Sequence, residues 1–296
     1  MAGSVMGGTS YAISIGVAQA AKRQFKAEGR SVSFTIEESI GNVDNVVRMV
    51  GGFADLGVCD TQHLTLALEG KGEYAVREND MVMLARLRPD LYAILEGTLD
   101  TTGWTFRDLE GLPVSLQVKG TTAYSIIKPV LDVLGIEVIE RNMSHAEGGE
   151  ALLEGTIFGH MGATYTPGLD LVYARKGIWV MAPHPDDISI ILEKLPYFLP
   201  MTFNASQTPW KANDVDTVGV YMILACTADM PDDLAYSITK GLFSNTEMMA
   251  ASYAPLKDIV PADILLATIE NSIHPGAAKF YKEQGVNILD KYIYKK

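Results

Sequence analysis

The chain has 296 residues, of which 48% are hydrophobic and 20% are charged, and its net charge at pH 7 is −12. This composition excludes a mainly disordered chain, and the length suffices for two domains with a sizeable core. The negative charge repels polyanions, and no cluster of Lys and Arg is mixed with aromatic residues, which argues against nucleic acid as a partner. No apolar run approaches the roughly 20 residues that a membrane-spanning helix needs.

The first predicted element is a helix that follows a glycine-rich corner. Residues 3–14 read "GSVMGGTSYAIS" and lead into the helical pattern "IGVAQAAKRQF". Glycine turns and exposed helix N-termini present backbone N–H groups that attract phosphate and carboxylate alike. The candidate anion-binding residues at this corner are Gly8, Thr9, Ser10 and Tyr11.

Short apolar runs then alternate with helical patterns along the chain. The predicted strands lie at 31–36, 54–58, 113–118, 136–140, 156–161 and 178–182. Repeated strand–helix units predict an α/β fold with mostly parallel sheets that are covered on both faces. In such sheets, ligands bind beyond the carboxyl ends of the strands, where the loops enter the helices.

Glycine, hydroxyl and amide residues fall at these strand-to-helix corners. Asn42 is predicted to cap the helix "VDNVVRMV", and Thr121 or Thr122 the helix that follows Gly120. Each residue could serve only as a cap, but three such corners in one α/β chain favour a shared binding cleft.

Four motifs, which occur in the expected order, carry a family resemblance. They are "SIGNVDNVVRMVGGFADLGVCD" at 39–60, "PYFLPMTF" at 196–203, "DVDTVGVYMILACTADMPDDLAYSITKGLFSN" at 214–245 and "SIHPGAAKFYKEQGV" at 272–286. Together they resemble the extracytoplasmic solute-binding proteins of TRAP transporters, TAXI subgroup, over almost the whole chain.

This resemblance implies a type II periplasmic-binding-protein fold, in which two α/β lobes joined by two crossing strands close on a small solute. Lobe I would comprise residues 1–89 and 217–296, and lobe II residues 90–216. The implied ligand is a small organic anion, such as a glutamate-like amino acid or a dicarboxylate, which a monomer delivers to the TRAP transporter membrane subunits. No cofactor is implied.

The remaining candidates come from positions where the chain departs from the family pattern. Asp60 could pair with a ligand ammonium group, or it could cap the helix that starts near Thr61. His160 and Thr202 are weaker ligand-contact candidates. At the lobe II corner, "KGTTAY" replaces Gly-Ser-Gly-Thr-Glu. Lys119 either adds a positive charge there or is simply solvated.

No motif for covalent, metal or nucleotide chemistry is present: G-x-S-x-G, H-E-x-x-H, a Walker loop and C-x-x-C are all missing, and the five histidines have no metal spacing. We therefore expect neither an enzyme nor a metal site. Two alternatives remain open. One is a transferase or lyase that uses Asp60, Lys119 and His160, and the other is a ligand-sensing module that docks on a receptor.

The N-terminal residues lack the basic and apolar regions of a secretory signal. The resemblance nevertheless places the protein outside the cytoplasm, in the periplasm or its equivalent. We therefore expect a longer precursor, whose signal segment and first strand precede residue 1.

Overall fold

The computed structural model describes residues 1–4, 6, 9–71, 74, 80–162, 169–207 and 213–295. The chain divides into two compact units, the first made of residues 1–89 and 221–296 and the second of residues 90–220. The strands at 81–92 and 215–227 each have residues in both units. Both units mix helices and strands, which confirms the predicted α/β class.

The described residues form ten α-helices and nine strands. The helices are α1 (Thr9–Ala27), α2 (Asn42–Val50), α3 (Thr61–Glu69), α4 (Thr122–Leu134), α5 (His145–Glu154), α6 (Asp170–Lys176), α7 (Pro185–Lys194), α8 (Asp232–Ser244), α9 (Thr246–Ala250) and α10 (Pro275–Glu283). The strands are β1 (Leu56–Asp60), β2 (Met81–Tyr92), β3 (Leu95–Gly97), β4 (Pro113–Ser115), β5 (Ile139–Arg141), β6 (Gly159–His160), β7 (Trp179–Met181), β8 (Leu199–Phe203) and β9 (Val215–Thr227). Among the described residues, no helix is both long and apolar enough to cross a membrane.

One sheet has four strands: β1, β9 and β2 pair in that order, and β8 pairs with the first residues of β9. The first unit contains β1 and the parts of β2 and β9 at 81–89 and 221–227. The apolar residues of "MVMLARL" in β2 are all buried, as expected for a strand covered on both faces. The charged residue of this run, Arg86, stacks over the Tyr221 ring at 4.1 Å and lies 3.2 Å from the Asp263 carboxylate.

Helices of the first unit pack against this sheet and against each other. Helix α1 places Ile13, Val17 and Phe25 in the core at helical spacing, and it packs against α8, which buries Ile238 and Leu242. Ten residues are buried along α1, so its position is fixed by packing rather than by intrinsic helix propensity.

The C-terminal segment completes the first unit. Ile273 forms parallel bridges to Met83 and Ile293, and the Tyr281 hydroxyl donates a hydrogen bond of 2.8 Å to the backbone oxygen of Leu84. His274 is the N-cap of α10, and its ring accepts a hydrogen bond of 3.0 Å from the backbone N–H of Gly276. The segment that the resemblance places on lobe I therefore packs within the first unit.

In the second unit, a five-stranded sheet has the order β5-β4-β6-β3-β7. Its core includes ten buried residues, among them Ile94, Leu152, Val180 and Phe203, and the Phe203 ring meets that of Tyr92 edge-on at 5.5 Å. The Arg107 guanidinium forms two hydrogen bonds, of 2.9 and 2.7 Å, to the Asp187 carboxylate and so ties the turn at 106–109 to α7.

The prediction of mostly parallel sheets is wrong. Strand β4 is parallel to β5 and β6, but β3 is antiparallel to β6 and β7, and β9 is antiparallel to β1 and β8. The reason is that β3 follows β2 directly, without a crossover helix, and enters the sheet between strands that run the other way.

The predicted strand at 31–36 is also absent. Within this segment the Thr35 backbone oxygen accepts a hydrogen bond of 3.0 Å from the Met1 amino group, and the nearest pairing is one bridge, between Ala2 and Glu37. A single isolated bridge does not form a ladder, so this segment is not a strand.

We expect Gly276→Ala to destabilise the first unit, because a Cβ at this position would overlap the backbone carbonyl of Asp232 in α8. The expected loss in the free energy of unfolding is about 1 to 3 kcal/mol, measured by urea denaturation. Lys22→Ala on the exposed face of α1 is the control and should change stability little. A Gly276→Ala protein as stable as the control variant would contradict this packing.

Candidate functional site

The starts of three helices are tied together in the first unit by buried side chains. Ser10 of α1 donates a hydrogen bond of 3.4 Å to the amide oxygen of Asn42 in α2. The Asn42 amide in turn donates a hydrogen bond of 2.8 Å to Asp60, which precedes α3. We call Ser10, Asn42, Asp60 and His63 the helix-start network.

Asp60 is the charged centre of this network and has no exposed surface. Its carboxylate caps α3 by accepting a hydrogen bond of 3.0 Å from the backbone N–H of His63, and it lies 2.7 Å from the His63 Nδ1. Burial acts to raise the pKa of Asp60, but the charge of His63 and the hydrogen bonds from His63 and Asn42 outweigh burial, so the pKa is lowered. Of the two roles predicted for Asp60, helix capping is the one that the structure shows.

The prediction that Asn42 caps α2 is wrong. The N-cap of α2 is Gly41, whose φ of 130° is open to glycine, and Asn42 is the first residue inside the helix. The buried Asp60 carboxylate needs a donor, and the Asn42 amide supplies it instead of capping its own helix.

The other residues of the first corner lie at the start of α1. Thr9 is the first residue of this helix and is exposed, and the half-buried Tyr11 donates its backbone N–H to Ser4 Oγ at 3.0 Å. Gly8 lies outside the described residues. The first turn of α1 contains no acidic residue.

The corner before α4 in the second unit agrees with its predicted role as a helix start. Gly120 has a φ of 86°, a left-handed conformation that favours glycine. Thr121 is the N-cap, which confirms one of the two predicted caps. Its hydroxyl accepts from the Tyr124 N–H at 3.4 Å and donates to the Val118 oxygen at 2.7 Å. Thr122 is the first helical residue and is half-buried.

Two further residues of "KGTTAY" turn towards the Glu140 carboxylate. The Tyr124 hydroxyl donates to Glu140 at 3.3 Å, and the Lys119 ammonium lies 3.8 Å from the same carboxylate. The Lys119 side chain is 65% exposed, so the structure agrees with a solvated lysine.

Helices α1 and α4 differ from the other described helices in the charge at their starts. Acidic residues occupy the first turn of α2 and of α5 to α9, α3 is capped by Asp60, and α10 starts at the buried His274. Neither α1 nor α4 has an acidic residue in its first turn. No acidic residue of the first turn therefore offsets the positive end of the helix dipole in either helix.

A second group of polar side chains surrounds His160 at the carboxyl ends of the parallel strands β4 and β6. Ser115, Gln117, His145 and His160 form this group, which we call the histidine cluster. The Ser115 hydroxyl lies 2.9 Å from His160 Nδ1, and the Gln117 amide nitrogen lies 2.9 Å from His160 Nε2 and 2.7 Å from His145 Nδ1.

The backbone around this cluster is shaped to hold it. Gln117 has a φ of 73°, which is uncommon for a residue other than glycine and often marks a functional position. Gly148 of α5 faces the His160 ring, and a Cβ at Gly148 would overlap that ring. His145 lies one turn earlier on α5, and its ring meets the His160 ring edge-on at 5.3 Å.

Both histidines of the cluster are neutral at pH 7. Burial, followed by the charge of His145, lowers the pKa of His160 to about 3. Burial also lowers the pKa of His145. A neutral imidazole has one N–H donor and one acceptor nitrogen, so the cluster can present hydrogen bonds but no positive charge.

His160 is a candidate from its sequence pattern, whereas Ser115, Gln117 and His145 are not. A signal for one of them exists, because "SHAE" is a capping-box pattern in which the Ser144 and Glu147 side chains bond reciprocally, placing His145 at the first position of α5. Nothing in the sequence indicates the left-handed backbone at Gln117.

Thr202 has a hydrogen-bond partner outside the helix-start network and the histidine cluster. It is exposed on β8 and pairs in register with Asp216 of β9, to which its hydroxyl donates a hydrogen bond of 2.8 Å. This contact is a cross-strand pair of the sheet. In the described part of the chain, no three His, Cys, Asp or Glu side chains are grouped to hold a metal ion.

Residues 1–285 match the model of the NMT1-like family. The structure resembles the periplasmic aliphatic sulphonate binding protein SsuA from Escherichia coli, with 16% identity, a TM-score of 0.50 and coverage of 99% of this chain and 91% of SsuA. MatC from Rhodopseudomonas palustris with bound malate matches with 13% identity, a TM-score of 0.50 and coverage of 96% of each chain. XAC2383 from Xanthomonas citri bound to chloride ion matches with 10% identity, a TM-score of 0.52 and coverage of 95% and 98%. These likenesses show the periplasmic-binding-protein fold.

We expect Asp60→Asn to destabilise the protein at pH 7 by about 1.5 to 3 kcal/mol, because hydrogen bonds to the buried carboxylate lose their charge. The folded-state pKa of Asp60 lies below its unfolded value of about 3.9. The carboxylate therefore contributes stability above about pH 4, and this stability is lost as the pH falls through the folded-state pKa.

Urea denaturation at pH 7, 5 and 3 measures this difference, with Asp258→Asn at an exposed position as the control. The gap between wild type and Asp60→Asn should be constant from pH 7 to 5 and narrower at pH 3. A gap of the same size at all three pH values would contradict the predicted role of the Asp60 charge.

Proposed function

Because the chain belongs to the NMT1-like family and has the periplasmic-binding-protein fold, we propose that it is an extracytoplasmic solute-binding protein of a membrane transporter. We propose a small organic anion as its ligand. The protein binds this anion without transforming it and delivers it to membrane subunits.

The observation that carries this proposal is the charge at the starts of α1 and α4. At the start of each helix, free backbone N–H groups and the positive end of the dipole attract anions. Neither helix has an acidic residue in its first turn. The chain as a whole has a net charge of −12 and repels anions, so local attraction of this kind is needed for an anion to bind.

The structures with the same fold support an anion as well. Their names describe a sulphonate-binding protein, a protein with bound malate and a protein with bound chloride. A carboxylate or a sulphonate has several acceptor oxygens that suit backbone N–H and hydroxyl donors.

The residues that we assign to direct contact are those at the two helix starts. They are Thr9 and Tyr11 in the first unit, and Gly120, Thr121 and Thr122 in the second. Gly8, which lies outside the described residues, stays a prediction from the sequence. Ser10, Asn42 and Asp60 are assigned to hold the starts of α1, α2 and α3 in place, since all three side chains are buried and bonded to one another. Thr202 stays a weaker prediction.

The type of transporter is proposed from the resemblance of the four sequence motifs. We propose that the partner is a TRAP transporter of the TAXI type and that the protein acts as a monomer in the periplasm. The lobe bounds of 1–89 with 217–296 and 90–216, and the closure of the lobes on the solute, also stay predictions. The proposed ligand classes are a glutamate-like amino acid and a dicarboxylate.

The enzyme alternative finds little support among its candidate residues. Asp60 and His160 have no exposed surface, which leaves neither of them a path for exchanging protons with a substrate. The Lys119 side chain is solvated beside Glu140.

A thermal-shift panel tests the proposal. The dialysed protein is heated with succinate, L-malate, L-glutamate, ethanesulfonate or the uncharged succinamide. A ligand at a concentration of 100 times its Kd stabilises the folded state by about 2.7 kcal/mol. We expect at least one anion to raise the melting temperature, succinamide to have no effect, and mass spectrometry to recover the anion unchanged. No shift with any anion, or conversion of a compound, would contradict the proposal.

We expect Thr121→Ala to weaken binding of the best panel anion by about 1 to 2 kcal/mol, because the hydroxyl that would turn from the Val118 oxygen to donate to the charged ligand is lost. Isothermal titration calorimetry measures the change. Thr102→Ala is a matched control in the second unit, since its exposed hydroxyl also donates to the carbonyl three residues earlier, at 2.6 Å. Equal affinities for the two variants would remove Thr121 from the binding site.

A further inference from the structure

One segment of the first unit has the side-chain pattern of a strand but no ladder. From 31 to 37 the exposure of the side chains alternates: Val32, Phe34 and Ile36 are half-buried, and the polar residues between and beside them are exposed. This alternation is typical of a strand with one face on the core. The pairing of the segment is nevertheless limited to one bridge at its end.

A short middle strand begins beside this segment. Ala2 runs between the segment and β1, with parallel bridges to Glu37 on one side and to Gly57 on the other. The Met1 amino group continues the pairing by donating a hydrogen bond of 3.0 Å to the Thr35 oxygen. The three segments are parallel, so a longer middle strand would run along both neighbours.

A cavity of about 550 Å³ lies beyond the amino end of this middle strand. Its lining includes Met1, residues 32–35 on one side and residues 53–56 on the other, and α1 and α8 contribute Phe25 and Ile238. Both of these stretches directly precede the two bridged residues. The cavity is therefore the space through which the middle strand would extend in the amino-terminal direction.

The backbone groups beside the cavity have the spacing of a parallel ladder. The Leu56 and Thr35 oxygens already accept from the middle strand, and in a strand the N–H and C=O groups of one residue point to the same side. A first added residue before Met1 would bond to the Leu56 N–H and the Ala54 oxygen, and a second to the Thr35 N–H and the Ser33 oxygen. No described residue donates to the Ser33 or Ala54 oxygen or accepts from the Thr35 N–H.

The side chains of an occupant would alternate between the two faces. A Cβ at Gly3 would lie 3.4 Å from Ile36 and from Ser14 of α1, so this face of the middle strand is turned towards α1. Met1 and the second residue before it lie on the same face, where Phe25 of α1 lines the cavity. An apolar side chain suits that second position, whereas a carboxylate would be desolvated there.

The charge of the Met1 amino group also favours a peptide bond at this place. Burial lowers the pKa of the amino group, and the Glu37 and Asp55 carboxylates act in the opposite direction. A peptide N–H would make the same hydrogen bond to the Thr35 oxygen without a charge to desolvate.

We propose that this cavity is a strand slot, which binds an extended segment joined to the amino side of Met1, in parallel with 32–35 and 54–56. The occupant is the strand that the resemblance predicts before residue 1. Filling the slot makes 31–36 a strand of the sheet, which is the state that its sequence pattern predicts. The proposal does not depend on which solute the protein binds.

The slot also reaches the start of α1 through the residues that follow it. The Gly3 oxygen accepts a hydrogen bond of 3.0 Å from Ser39 Oγ, and Ser4 Oγ accepts one of 3.0 Å from the Tyr11 N–H. A bound segment that fixes residues 1–3 therefore also fixes the first turn of α1.

Two extended proteins that differ in one residue test the slot. Met-Lys-Thr-Val-Thr or Met-Lys-Thr-Asp-Thr is placed before Met1, so that valine or aspartate is the second residue on its amino side. NMR hydrogen exchange follows the Thr35 and Leu56 amides, with the Thr102 amide of the second unit as the control. We expect the first two to exchange at least about tenfold more slowly in the valine protein than in the aspartate and unextended proteins. The melting temperature of the valine protein should also be the highest.

Three results would overturn the proposal. The first is equal exchange of the Thr35 and Leu56 amides in the two extended proteins. The second is protection of these amides in the unextended protein by the separate peptide acetyl-Lys-Thr-Val-Thr-amide, without protection in the valine protein, which would assign the slot to another molecule. The third is a dimeric valine protein in size-exclusion chromatography, which would assign the slot to a second copy.

Discussion

The proposed anion binding depends on the positive ends of two helix dipoles. Helices α1 and α4 begin at Thr9 and Thr122 and have no carboxylate in the first turn, whereas α2 and α5 to α9 each have an acidic residue there. In a chain with a net charge of −12, these starts offer an anion a favourable local potential.

Buried polar groups hold the helix starts in place. The central group is a charged carboxylate in the first unit and a neutral histidine in the second. In the first unit a charged carboxylate, that of Asp60, is bonded to Asn42 and His63, and Asn42 reaches Ser10 at the start of α1. In the second unit the buried groups are neutral, since burial lowers the pKa of His160. The His160 ring contacts Gly148 of α5, and its Nε2 lies 2.9 Å from the side-chain nitrogen of Gln117 in the loop before α4. Partners for every buried polar atom make such networks rigid, and loss of one partner is costly.

Local patterns predict the α/β class, the helix after Gly120 and its Thr121 cap, because turn and capping preferences act over a few residues. Local patterns give the wrong prediction where contacts between residues distant in the sequence determine the structure. Asn42 is diverted from capping by a carboxylate 18 positions away, and β3 takes its direction from a sheet that later strands build. Gln117, His145 and Ser115 meet His160 only through the strand order β4-β6 and the left-handed backbone at Gln117, neither of which a short pattern contains.

The most direct test of anion capture is mass spectrometry of what the protein retains. The dialysed protein is mixed with equal amounts of carboxylates, sulphonates, amino acids and sugars, desalted and denatured, and the released compounds are quantified. Capture of an organic anion predicts about one equivalent of one carboxylate or sulphonate per chain, with its mass unchanged. Retention of a sugar, of no compound, or of a chemically altered product would contradict it.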